Sequence, residues 1–432
     1  MSLYQHQLLA RAALRHARKM SALVILATIA SGAGAADLRP LGFDEALAIA
    51  EQRSSRLAAQ TASVSAAAEQ VGRSTELPDP RLKFGVDNLP VSGPDSYSFT
   101  RDSMTMKRFG FMQEIPNGDK RKARGERAAR EQVLESANLE AQRAALRQDI
   151  AVAWLDLHYA QRTHQALEQL VKQHQLESET ISAAVGAGRV TPAGAIAQRS
   201  ALESARDRML DQQRVVARAR AVLAALVGDA AQRPLGALPD TAKLAHNPAA
   251  LIGSLESHPA QRVFEEREAV AATEVAVASS ASKPDWGVEV SYGQRSPYFS
   301  NMLTVMVSVD LPIDKARRQD REVASKLSLL ERARSEREEA RRMHEAEVRA
   351  MVADWEIAGE RARRFESVLL PLARERVELS LAAYRGGRGD LAAVLEARRA
   401  ETETQVNLLA AALERGRAWA RLNHLIIHEV KP

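Results

Sequence analysis

His424 and His428 stand four residues apart near the end of the chain, a spacing that sets both imidazoles on one face of a helix and could clamp a cation. Two ligands alone rarely make a metal site, and a histidine at a helix C-terminus also answers the negative end of the helix dipole. Met104, Met106, Met302 and Met306 offer thioethers of the kind that suit soft Cu(I), although methionine is equally an apolar filler. His158, His164 and His174 do not share a helical face and are read as solvated. No Ser/His/Asp set, Gly-rich phosphate loop or paired-carboxylate constellation stands out, so neither catalysis nor a cofactor is expected. The absence of cysteine excludes disulfides, thiolate metal sites and acylation of an N-terminal Cys. What remains are charges beside turn residues: Gly188, Arg189 and Thr191, then Tyr384, Arg385, Gly387, Arg388, Asp390 and Glu396.

Those two groups sit in copies of one pattern, 199 residues apart. Ala183, Ala184, Gly188, Arg189, Ala193, Arg199, Ala201, Leu210, Arg218 and Leu226 recur as Ala382, Ala383, Gly387, Arg388, Ala392, Arg398, Ala400, Leu409, Arg417 and Leu425. Upstream, Pro78-Asp79 answers Pro284-Asp285, and Ile115-Pro116 answers Leu311-Pro312. One duplication of this length implies two similar half-molecules rather than a solenoid of short units. The first repeat is set at residues 36–245, with a helix at 42–75, strands at about 80–115, a helical hairpin at about 117–228 and a linker at 229–245. The second is set at 246–432, with a helix at about 258–281, strands at about 284–311 and a hairpin at about 313–428.

Arg11, Arg15, Arg18 and Lys19 precede the apolar run 21–30 and the small residues 31–36, the pattern of a cleaved export signal over residues 1–35. The run is shorter than the ~20 residues that span a bilayer, and cleavage is expected after Ala35. Its loss lowers the formal charge from +5 to +1, which leaves no electrostatic argument for nucleic-acid binding.

From Glu126 to Val185 there is no Gly or Pro. Such a helix needs neighbours to cover a narrow stripe, here Ile150, Trp154, Leu157, Leu167 and Leu170, answered by Val348, Val352, Trp355 and Leu369 in the second half. Gly188 with Thr191-Pro192, and Gly386-Gly387 with Asp390, end and restart helices and so make hairpin tips. Pro371 is expected to kink its helix.

Between the helices the period changes to two. Trp286, Val288, Val290 and Tyr292 fall on one face, and Leu303, Val305 and Val307 on another, opposite Glu289, Ser291, Thr304 and Ser308. A soluble hairpin packed on a helix would show the same alternation. Aromatic residues at both ends of one apolar face and the ~9–11-residue length fit bilayer-crossing strands, with the two valine-rich sets facing lipid. Four strands cannot close a barrel, and an open edge in lipid would strand backbone groups at several kcal/mol each. Two, three or four copies would supply eight, twelve or sixteen strands.

With Pro78-Asp79-Pro80, Gln113-Glu114-Ile115-Pro116 followed by Gly118 and Lys120, and Ala383-Tyr384-Arg385-Gly386-Gly387 leading to Val394-Leu395-Glu396-Ala397, the chain resembles the TolC-like outer-membrane efflux proteins. Asn88-Leu89-Pro90 and 102–107 look most like members that serve heavy-metal exporters. The resemblance implies a mainly α protein in two tandem repeats. Long helical hairpins would form a periplasmic tunnel, and four strands per protomer would enter a homotrimeric twelve-stranded barrel in outer-membrane lipid. It also implies a periplasmic adaptor and a proton-driven inner-membrane transporter of the RND type as partners, in a Gram-negative envelope. The hairpin tips would then be the periplasmic mouth and gate. Ducts for drug efflux or type I protein secretion share this pattern, and a soluble periplasmic coiled-coil scaffold is the reading from another class. Where family members close their tunnel with two carboxylates, this sequence has Ala393 and Glu396, so only one charge is kept.

Overall fold

The computed structural model describes residues 39–188 and 190–425. The export signal with its cut after Ala35, Arg189 and His428 lie outside the described residues. The first half runs α1 (Phe43–Arg53), α2 (Ser55–Ser74), β1 (Arg81–Asp87), β2 (Met106–Ile115), α3 (Gly118–Gly186) and α4 (Pro192–Val227). After a 3₁₀ turn and a loop, the second half runs α5 (Pro248–Gly253), α6 (Pro259–Ser280), β3 (Asp285–Gln294), β4 (Met302–Asp310), α7 (Gln319–Arg364), α8 (Leu370–Arg385) and α9 (Leu391–Asn423). The expected leading helix at 42–75 is two helices, because Ser54 takes extended backbone and its Oγ accepts the amide of Leu57 at 3.2 Å.

At 1.5 Å per residue, the 69 residues of α3 extend about 100 Å. So long a rod is held by neighbours on different flanks at different heights. Where α3 and α4 meet α1 and α9, the cover is apolar: Ile150, Trp154, Leu155, Leu157 and Leu223 are fully buried. Near α6 and α7 the links are charged, with Arg130 to Glu266 at 3.6 Å, Arg262 to Glu140 at 2.7 Å and Lys326 to Glu274 at 2.9 Å. Arg337 and Arg334 hold the Glu268 carboxyl below its usual range by hydrogen bonds. Pairs this exposed are worth only ~0–1 kcal/mol each, so they set register more than stability.

Three tryptophans tie the loops to this core. Trp154 donates Nε1–H to the Leu41 carbonyl at 3.3 Å, Trp355 to Thr241 at 3.1 Å and Trp419 to Lys243 at 2.7 Å. The segment after α4 is therefore strapped across the helices. Leu41 also joins Leu235 in a parallel bridge.

Pro371 has no amide to give the helix ladder. The helix absorbs this with a π-helical turn at Phe365–Leu369, so α7 and α8 continue as one rod.

All four strands form one antiparallel sheet in the order β1-β2-β3-β4. Each half gives one hairpin, joined between β2 and β3, and β1 and β4 are the outer strands.

Candidate functional site

Register gives the sheet two different faces. Phe84, Phe109, Tyr292 and Leu303 are cross-strand neighbours in one row, Leu82, Phe111, Val290 and Val305 in the next, and Val288 and Val307 beyond them. Trp286 pairs with Ile115 and Val309 at the helix-proximal end. This face is uncovered in the protomer: Phe84 is 72% and Leu303 71% exposed. The opposite face carries Lys83, Arg108, Glu289, Ser291, Thr304 and Ser308. Lys83 Nζ meets Glu289 at 2.6 Å, and Arg108 meets Asp87 at 2.5 Å. Lys107 and Arg108, adjacent in β2, fall on opposite faces: Arg108 joins the polar face, and Lys107 sits on the apolar face, at its loop end.

The helix-proximal edge of the sheet explains the Pro-Asp and Gly-x-Lys motifs. Asp285 accepts the Asn117 amide at 2.8 Å and the Lys120 ammonium at 2.7 Å, so β3 caps the start of α3. Gln113 donates to the Pro78 carbonyl at 2.8 Å.

At the far end of the hairpins, the 199-residue interval returns as geometry. Gly188 and Gly387 have φ of +69° and +70°, a left-handed conformation that favours glycine. Ala187 N bonds Ala183 O and Gly188 N bonds Val185 O; Gly386 N bonds Ala382 O and Gly387 N bonds Tyr384 O, each at 3.0 Å. Thr191 caps α4 through the Gly194 amide at 3.1 Å, and Asp390 caps α9 through the Ala393 amide at 2.8 Å. Arg385, Arg388, Asp390 and Glu396 are exposed, and Tyr384 is half-buried. Glu396 lies on a groove of about 600 Å³ shared by α3, α4 and α9, beside Leu170, Arg208 and Arg399.

His174 is buried, not solvated as read from the sequence, because α4 covers it and Gln198 Nε2 bonds its carbonyl at 3.0 Å. The same Gln198 reaches Glu177 at 3.2 Å, and Arg398 of α9 meets Glu177 at 2.6 Å. This polar link joins the first hairpin to the second just above the tips. Sequence reading missed it, although Arg398 is one of the repeat's matched arginines. His424 ends α9 and stacks on Phe43 with ring centroids 6.3 Å apart. No cluster of three or more His, Asp or Glu able to hold a metal occurs among the described residues, and no helix among them is long and apolar enough to cross a membrane.

Residues 46–229 match the family model described as outer membrane efflux protein. The fold is TolC-like. The chain is similar over 90% of its length to the crystal structure of CusC, with a TM-score of 0.75, 16% identity and 93% of that chain covered. VceC of Vibrio cholerae matches with a TM-score of 0.74 and 17% identity over 89% of this chain and 95% of its own. The CmeC channel of Campylobacter jejuni gives a TM-score of 0.75 and 13% identity over 89% and 85%. The comparison with curated protein sequences gives no match. Within this TolC-like fold, the sheet is the protomer's barrel portion and the long hairpins are its tunnel portion.

Proposed function

We propose that this TolC-like protein is a homotrimeric exit duct that passively conducts heavy-metal cations out of the envelope. A proton-driven RND-type transporter in the inner membrane and a periplasmic adaptor would deliver the cargo. The observation that carries the duct is the sheet, with a continuous apolar face and two outer strands, β1 and β4, at its edges. Three protomers joined edge to edge give twelve strands with no free edge, which satisfies the backbone in lipid. Trp286, Val288, Val290, Tyr292, Leu303, Val305 and Val307 then face lipid. The methionines of the polar face favour metal over drug or protein cargo.

The tips are assigned to the periplasmic mouth. Symmetry places three copies of Glu396 around one axis, an anionic ring that selects cations, while Arg385 and Arg388 hold neighbouring helices by charged hydrogen bonds. Single-channel recording in planar bilayers tests the assignment. Arg388→Glu is expected to raise conductance and Glu396→Gln to lower the cation-to-anion permeability ratio. Unchanged conductance and selectivity in both variants would remove the tips from the gate.

A further inference from the structure

Methionine is distributed over the sheet in a way that apolar packing does not require. The face bearing Phe84, Phe111, Val290, Tyr292 and Leu303 has no methionine. On the opposite face, glycine apart, every apolar side chain is one: Met106 and Met112 on β2, Met302 and Met306 on β4. A filler residue would be expected among the side chains that meet the apolar medium.

Two groupings result. Glu289 pairs directly with Met112 on one side and Met306 on the other. Residues so opposed hold their Cβ atoms about 4.5–5.5 Å apart, within reach of both thioethers. Lys83 takes one carboxylate oxygen, Oε2, at 2.6 Å, and the other, Oε1, lies over Gly110, where an added Cβ would stand 3.5 Å from it. In the second grouping Gly293 pairs with Met302, and Met106 Sδ occupies the space above this glycine, 2.6 Å from where a Cβ would be. The two groupings are about 14 Å apart along β3, at ~3.4 Å per residue.

We propose that Met112, Glu289 and Met306 form a contact for a soft monovalent d¹⁰ cation, Ag(I) or Cu(I), with Met106 and Met302 as a second contact. Neutral thioethers prefer such ions to Zn²⁺ or Mg²⁺, and Oε1, the carboxylate oxygen that Lys83 does not take, adds a third donor. A set of two or three donors that are not a closed cage lets an ion bind and leave, as a conduction path requires. The assignment deepens the metal-duct reading and rests on it in that this face must line the lumen.

The test uses the full protein in detergent, titrated with Ag⁺ in nitrate buffer and measured by calorimetry and silver-edge X-ray absorption. Wild type is expected to show a silver–sulfur shell. Met112→Leu/Met306→Leu, nearly volume-conserving, is expected to bind Ag⁺ at least tenfold more weakly, and Glu289→Gln to lose less. Equimolar Zn²⁺ is expected not to compete. A shell of oxygen and nitrogen only, or unchanged affinity in the double Leu variant, overturns the site. Silver accumulation in cells lacking the channel separates the two readings. Wild-type protein that binds through sulfur yet fails to restore export removes the metal-duct reading and leaves the site standing.

Discussion

Val305→Arg is expected to cost about 2–4 kcal/mol of stability in a bilayer, and Thr304→Arg, one residue away, much less. Val305 is 64% exposed in the protomer and pairs with Val290, at the centre of the face that also holds Phe111 and Leu82. With this face toward lipid, as proposed, an arginine there meets hydrocarbon. Thr304 pairs with Ser291 on the face of Lys83 and Glu289, where a guanidinium stays hydrated and has a carboxylate nearby. Urea unfolding of protein folded into vesicles gives both values. Equal losses in the two variants would mean that the two faces are not divided between lipid and water.

A second large effect is expected from acid. His258 begins α6 as its N-cap and is buried, with Nδ1 2.8 Å from Nε2 of His344 on α7. Burial, with smaller contributions from His344 and His246, lowers its pKa from 6.5 to about 4. One ring donates and the other accepts, an arrangement that requires at least one neutral imidazole. The unfolded chain takes up a proton near pH 6.5 that the folded chain resists until about pH 4. The stability held by neutral His258 is therefore full above pH 6.5 and falls as pH drops through that window. At about 1.4 kcal/mol per pH unit, the loss is on the order of 3 kcal/mol. His258→Gln keeps an uncharged side chain able to hydrogen bond and should flatten the profile between pH 6.5 and 4. Glu256, Glu345 and Glu347 are the acidic residues close to this joint in sequence, Glu347 lying 3.6 Å from His344. Denaturation midpoints measured across this range check the expectation, and a variant as acid-sensitive as wild type would assign the loss to other groups.

The parts of this molecule legible in the sequence are those written by local period and by duplication. Alternation over Trp286–Tyr292 and Leu303–Val307 predicts strand faces because neighbouring side chains in a strand must point apart. The Gly188 and Gly387 turns are visible because left-handed backbone selects glycine, and their matching bonds follow from the shared pattern. Contacts that join distant segments left no such trace. His258 and His344 are 86 residues apart, and nothing near either histidine announces the other. The Arg398–Glu177 link depends on how the second hairpin lies against the first. The face of Met112 is hidden for a related reason: Lys107 and Arg108 interrupt the apolar pattern of β2, and pairing with β3 shows which face Met112 takes. The single helix expected at 42–75 failed at Ser54, where a local cap outcompetes helix continuation.

Four strands per chain call for other copies to complete a barrel in the membrane, and the mass of the assembled particle reports whether they do. Protein extracted from membranes in detergent, measured by light scattering with the detergent contribution subtracted, should contain three protomers. A monodisperse monomer that stays soluble without detergent would overturn trimeric assembly in a membrane, because the outer edges of β1 and β4 and the apolar face between them would then have no partner and no lipid.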